Sequence, residues 1–216
     1  MRIRHPQSPR RRALIRLLAK SLATGALLLS PATLIVSASA AASVPAATHA
    51  QAAPAKSTKP FDGFTHILHV PQEYKTIQSA VDAARSGDLV LIAAGVYHEE
   101  VKVASQSAGI TIRGMDRNQT ILDGQSTAAG NGFYITADNV IVENLTIHNY
   151  RGNGIWWKGV NGYRGSYITS YDNGDYGIYA RTARHGEFNN DYASGNVDSG
   201  FYIGECIPCD ALITNV

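Results

Sequence analysis

Four aromatic residues, Tyr134, Trp156, Tyr179 and Tyr202, follow one another at intervals of 22, 23 and 23 residues. Lys158 and Arg181 stand two positions after the second and third of them. Aromatic rings pack on the apolar faces of sugar rings, and Lys and Arg pair with uronate carboxylates, Arg through two parallel hydrogen bonds. Brought into register, these six residues would form a strip that binds an acidic polysaccharide. Stacked rings on neighbouring strands also stabilise a sheet that has no ligand, so a purely structural strip is the competing expectation.

Acid–base chemistry has its own candidates. Asp172 and Asp175 precede Arg181; Arg184-His185, Glu187, Asp191, Asp198 and Glu205 follow it. Hydrolysis of a glycan needs two carboxyl groups across the scissile bond. Elimination needs a base beside the uronate C5, with a cation or metal to stabilise the charge that develops. Aspartates in Asn173-Gly174-Asp175 and Asp198-Ser199-Gly200 are equally what tight turns favour without any function. Cys206-Ile207-Pro208-Cys209 holds the only two cysteines. In an exported chain such a pair is a local disulfide or two thiols. A redox motif would need the cysteines at a helix start, and a zinc site would need two more ligands.

These residues are positioned by a repeat. Gly132-Phe133-Tyr134-Ile135, Gly154-Ile155-Trp156-Trp157, Gly177-Ile178-Tyr179-Ala180 and Gly200-Phe201-Tyr202-Ile203 are four copies of one phrase. Asn149, Asn173 and Asn196 precede the last three copies by four or five residues, and asparagines in register can stack as amide ladders. A fixed period of this length, carried by short strands, is the mark of a β-solenoid whose coils bury their apolar side on their neighbours. Strand alternation then points Phe133, Ile155, Ile178 and Phe201 inward, with Ile135, Trp157, Ala180 and Ile203. The four aromatics between them face outward, ~4.8 Å apart from coil to coil. The next outward set is Thr136, Lys158, Arg181 and Gly204.

Upstream, Ile77, Ala80, Val81 and Ala84 fall on one face of a helix, with Thr76 as N-cap and Gly87 as the stop. Strands are expected at Leu89–Ile92, Val96–Val103, Gly109–Arg113 and Thr120–Leu122, with no helix after them. The run from Tyr74 to Ala84, then Gly95-Val96-Tyr97 and Ile110-Thr111-Ile112-Arg113-Gly114, resembles the opening of the pectate-lyase-like superfamily. That group includes pectin methylesterases, pectate lyases, polygalacturonases and bacterial NosD-like repeat proteins. The resemblance runs over residues 66–216, with Ala94 where the family usually has Pro. It implies an all-β fold: a right-handed parallel β-helix with coils of about 22–23 residues and an N-terminal capping helix. It also implies that Arg181, with Ca²⁺ held by Asp172 or Asp175, would be the catalytic group of a lyase. Against an assigned activity, the methylesterase Asp-Phe-Ile-Phe-Gly, polygalacturonase Gly-His-Gly and alginate-epimerase Asp-Pro-His-Asp phrases are absent.

The N-terminus carries seven basic residues and no acid within residues 1–20, then a mostly apolar run from Leu22 to Val36 and Ala38-Ser39-Ala40. This reads as an export signal over residues 1–42, too short and too broken by Pro31 to span a bilayer. Residues 43–61, rich in Ala, Pro, Ser and Thr, read as a flexible linker, and residues 62–216 as the β-helix domain. The chain stops inside a strand-like segment, Ile213–Val216, so further coils are expected beyond it. Of 19 basic and 17 acidic residues, seven basic ones lie in the leader, which leaves 12 against 17, a net charge of −5. That balance argues against nucleic acid as a partner. The functional expectation is a secreted or cell-envelope protein that binds acidic polysaccharide and, in its lyase-like form, cleaves it by β-elimination. The alternative is a structural or surface repeat protein with no glycan ligand.

Overall fold

A computed structural model describes residues 63–126 and 130–216. The expected signal and linker lie outside the described residues.

Among the described residues, one α-helix accompanies an all-parallel array of fifteen strands. Strand β1 (Ile67–Val70), helix α1 (Ile77–Ala83) and strands β2 (Leu89–Ile92), β3 (Gly95–Tyr97), β4 (Val101–Val103), β5 (Thr111–Gly114) and β6 (Thr120–Asp123) form the first coils. The later coils contain β7 (Phe133–Ile135), β8 (Val140–His148), β9 (Ile155–Lys158), β10 (Asn161–Tyr171), β11 (Ile178–Arg181), β12 (Arg184–Asn189), β13 (Tyr192–Ser194), β14 (Phe201–Gly204) and β15 (Ala211–Thr214). Three stacked faces result. The first runs β1-β2-β5-β8-β10-β12-β15; the second places β3 on β6, β6 on the end of β8, and β13 on the end of β10. The third runs β4-β7-β9-β11-β14.

Register fixes the coil lengths. Leu89, Thr111, Ile141, Arg164, Glu187 and Leu212 are stacked partners, so successive coils take 22, 30, 23, 23 and 25 residues. The stretch expected as one strand, Val96–Val103, is two strands. β3 pairs with β6 on the second face and β4 pairs with β7 on the third, with a corner at residues 98–100 between them. An apolar run read along the chain carries no signal for a corner that keeps its alternation on both sides.

The repeated glycine is required by stacking. A Cβ at Gly132, Gly154 or Gly177 would stand 2.6, 2.6 or 2.8 Å from the carbonyl oxygen of the corresponding glycine in the next coil. Corners are turned by left-handed residues, also in columns: Asn139, Gly162 and His185; Asn144, Tyr167 and Asn190; Asn149, Asp172 and Gly195; Gly159, Thr182 and Glu205. Asn, Asp and Gly tolerate this conformation; Thr182 and Tyr167 adopt it at a cost of order 1–3 kcal/mol each.

Inside, Val101, Phe133, Ile155 and Ile178 form one buried column, and Val103, Ile135, Trp157 and Ala180 another. Trp157 fills the space beside Ala180 and lies 5.6 Å from both Tyr163 and Phe188, ring to ring. Full burial of a large side chain contributes about 1.5–3 kcal/mol. One amide ladder differs from expectation. Asn173 donates to Asn196 at 2.9 Å, but the residue stacked before Asn173 is Tyr150, whose N–H donates to the Asn173 side chain. Asn149 instead occupies a left-handed corner and donates to Asp123. A second ladder, Asn153 to Asn131 at 2.8 Å, lies in the turn before the glycines.

α1 closes the first coil. Thr76 and Ser79 form a reciprocal capping box, and Ile77, Ala80 and Val81 are buried. Glu99 accepts from the Ile77 and Gln78 N–H groups, which suits a carboxylate at a helix start. The expected stop at Gly87 is corrected: the helix ends at Ala83 with an extended Ala84 as its cap. Arg85 donates to the carbonyls of Ala83 and Ala84, satisfying the end before Gly87 is reached. No helix among the described residues is long and apolar enough to cross a membrane.

Candidate functional site: an aromatic strip on the third face

Strands β7, β9, β11 and β14 pair Tyr134 with Trp156, Trp156 with Tyr179, and Tyr179 with Tyr202. Their neighbours along each strand point into the core, so the pleat leaves the four rings outside. Ring centroids are 5.1, 5.3 and 5.4 Å apart, with interplanar angles of 65°, 14° and 70°. These are edge-to-face and stacked geometries that attract beyond simple area burial. Lys102 continues the column before Tyr134.

Exposure along the strip is uneven. Tyr134 and Trp156 are half-buried, Tyr179 is 7% exposed, and Tyr202 is 37% exposed. Tyr179 is covered partly by Tyr176, whose ring lies 4.6 Å from it and 5.1 Å from Tyr202. Sequence reasoning missed Tyr176. It takes the place held in the two previous coils by Asn131 and Asn153, and its N–H donates to the Asn153 side chain. The signal was an aromatic residue directly before the repeated glycine.

Two cations stand at the end of these strands, paired in register. Lys158 Nζ lies 5.2 Å from the Trp156 ring centroid and 5.8 Å from that of Tyr134, a cation over π faces. Arg181 Nε meets Glu205 Oε2 at 2.6 Å, and the hydrogen bond to Glu205 holds the guanidinium above its usual range.

The acidic candidates are distributed differently. Asp172 sits at a left-handed corner, and its N–H donates to the Ser194 carbonyl. Asp175 is stacked between Gly152 and Asp198 through backbone hydrogen bonds. Burial and then the nearby Asp198 raise the Asp175 carboxyl above its usual range. A hydrogen bond with Asp198 pushes the Tyr176 phenol up to about 12. Asp175, Tyr176 and Asp198 therefore lie together beside the strip, whereas the ion pair of Arg181 is to Glu205 rather than to Asp172 or Asp175. Among the described residues no group of three or more His, Cys, Asp or Glu could hold a metal ion. Cys206 and Cys209 are joined by a disulfide, with Cα atoms 4.9 Å apart.

A second polar cluster, on the outer side of the first face, was not anticipated. Glu143, 9% exposed, meets Arg113 at 2.6 Å and Arg164 at 3.7 Å and accepts from Ser166 at 3.1 Å. A third lies in the interior. Asp191, 3% exposed, accepts from the Ile168 N–H at 2.7 Å, and burial pushes its carboxyl up to about 6. Arg117 crosses the coils beside it, donating to Thr169, Ile168 and Asn190.

The family described as "right handed beta helix region" matches residues 94–215. No curated protein matches the chain. Among solved structures, the pectin methylesterase PemA from Erwinia chrysanthemi superposes with a TM-score of 0.42 at 14% identity, over 59% of this chain and 53% of that one. A pectin methylesterase in complex with a hexasaccharide gives the same values. ORF18 of Geobacillus virus E2 gives a TM-score of 0.45 at 15% identity, over 66% of this chain and 44% of that one. The chain thus spans about half the length of these proteins.

Proposed function

The chain belongs to the right-handed β-helix family, and we propose that it is an exported protein that binds acidic polysaccharide along the third face. The observation that carries this reading is the unbroken file of Tyr134, Trp156, Tyr179 and Tyr202 with Lys158 at its side. A polymer of stacked rings meets a polymer of stacked coils, and the coils of Tyr134, Trp156 and Tyr202 each offer an aromatic contact, while Tyr179 lies buried beneath Tyr176. Tyr202, the most open member, and the half-buried Tyr134 and Trp156 take the sugar faces; Lys158 and Arg181 supply the charge complement. Binding outside the cytoplasm agrees with the basic, apolar and small-residue order of residues 1–42.

Affinity electrophoresis through gels cast with polygalacturonate, alginate or a neutral glucan tests it. Retardation in the acidic gels, reduced in Trp156→Ala and in Lys158→Gln, is expected. Equal mobility of all proteins in every gel would overturn the reading and leave the strip as a device that only joins coils.

Elimination is the finer form of the same reading. It requires Arg181 to exchange Glu205 for the substrate, so Glu205→Gln frees the guanidinium. The check is the ultraviolet absorbance of the unsaturated product, with Ca²⁺ and then with chelator. A trace that stays flat for the wild type and for Glu205→Gln would leave binding without cleavage.

A further inference from the structure

Beyond Lys158 and Arg181 the chain turns a corner through Gly159 and Thr182, both left-handed. On the far side of that corner lies a cavity of about 380 Å³, lined by Gly159, Val160, Asn161, Thr182, Arg184 and His185. That volume falls at the lower end of the roughly 300–1,000 Å³ range of small-ligand sites. The two basic side chains lining it, Arg184 and His185, are held by different partners. Arg184 donates one N–H to the Ile207 carbonyl at 3.0 Å and forms no ion pair among the described residues. His185 lies between Asn161 Oδ1, 2.5 Å from its Nδ1, and Asp210 Oδ2, 3.1 Å from its Nε2. Its backbone N–H also donates to Asp210 at 2.9 Å. Ile207 lies within the turn closed by the Cys206–Cys209 disulfide, and Asp210 follows it directly. The turn and the residue after it therefore fix one N–H of Arg184 and engage His185; Asp210 lies near enough to feel the Arg184 charge, but no carboxylate forms an ion pair with that guanidinium among the described residues.

The contrast with the strip is in the charges. Arg181 is neutralised by Glu205, and Lys158 rests over two rings. Arg113 and Arg164, on the first face, share Glu143. Arg184, beside the strip, forms no ion pair among the described residues and can pair with an incoming anion. Two parallel N–H···O bonds to a carboxylate are what its planar fork is shaped for.

We infer that this corner cavity is the subsite that reads the carboxylate of an acidic sugar, with Arg184 as its ligand and Thr182 and Asn161 as neutral hydrogen-bonding walls. The inference rests on the glycan-binding reading of the strip and divides its labour: aromatic rings take the sugar face, and the corner distinguishes uronate from its neutral ester.

The test is calorimetric titration with an oligogalacturonate and with its fully methyl-esterified form, which keeps the rings and removes the charge. The wild type is expected to bind the acid more tightly than the ester. Arg184→Gln keeps an N–H for Ile207 and is expected to weaken acid binding about tenfold, the loss of one charge-assisted contact, with the ester within about twofold. Thr182→Asp serves as a second variant. Aspartate accepts the left-handed backbone at least as well as threonine, so the fold is retained while its charge repels the ligand carboxylate. It too is expected to lose acid binding selectively. If both variants bind the acid as the wild type does while Trp156→Ala does not, the subsite is refuted and the strip stands. If the wild type binds neither form, the strip reading fails and takes the subsite with it.

Discussion

The outer column of the third face and the outer column of the first face are built on the same parallel register, one coil per step, yet they do opposite things. On the third face the column reads Tyr134, Trp156, Tyr179, Tyr202: one chemistry repeated. On the first it reads Leu91, Arg113, Glu143, Ser166, Asn189: a different chemistry at each step. The column on the first face satisfies itself, since Glu143 draws Arg113, Arg164 and Ser166 into one network. The aromatic column has no such closure. Its rings stack, Lys158 lies over two of them and Tyr176 against a third, and the buried Trp156 Nε1 has no hydrogen-bond partner. On the proposed reading, a stack of coils offers a surface to a polymer where one side-chain type recurs; where the types alternate in charge, the stack pairs with itself.

Two adjacent tryptophans test this difference most strongly. Trp157 points into the core and is fully buried, so Trp157→Ala should cost about 3–5 kcal/mol and lower the denaturation midpoint more than any surface change. Trp156→Ala, one residue earlier, should cost about 2 kcal/mol, the worth of its two aromatic pairs, while reducing glycan retention. A large stability loss in Trp156→Ala, equal to that of Trp157→Ala, would place the strip among the structural stacks.

Asp191, buried at the corner between the first and second faces, gives the next largest effect. Its folded carboxyl is pushed up to about 6 from 3.8, so the folded state holds the proton more tightly than the unfolded one. The contribution is complete below pH 3.8 and is lost as pH rises through about 6. The tighter hold on the proton is worth about 3 kcal/mol. Asp191→Asn keeps an acceptor for the Ile168 N–H and should remove this dependence, leaving the variant more stable than the wild type at neutral pH. Denaturant midpoints measured on either side of that window decide it, and parallel profiles for the two proteins would refute the assignment.

Glu143→Gln tests the self-satisfied column. It removes the charge that Arg113 and Arg164 share and should cost about 2 kcal/mol, because a buried ion pair is lost while the arginines are only partly covered. Retention on acidic glycan should be unchanged. Weakened retention would mean that the first face, not the third, meets the ligand.

Much of the fold was legible in the residues. The four glycine phrases at near-constant spacing marked the coils, and alternation within each phrase separated Trp156 from Trp157 correctly. The amide ladder shows where such reading stops. Asn149 precedes its glycine by five residues, Asn173 and Asn196 by four; that one residue moves Asn149 to the corner and puts Tyr150 in the column. The split of Val96–Val103 across two faces was hidden for a similar reason, since a corner of three residues need not interrupt an apolar pattern.

Period and alternation are properties of the chain alone. From them follow the winding into parallel coils, the inward-facing residues and the alignment of four aromatics outside. Which charges cancel is settled only by packing between coils. Glu205 meets Arg181 from 24 residues away, Glu143 meets Arg113 from 30, and Arg184 is left facing a cavity. Such pairings depend on the lateral offset of a side chain between coils of unequal length, and coils of 22, 30, 23 and 25 residues share no single spacing from which that offset could be read.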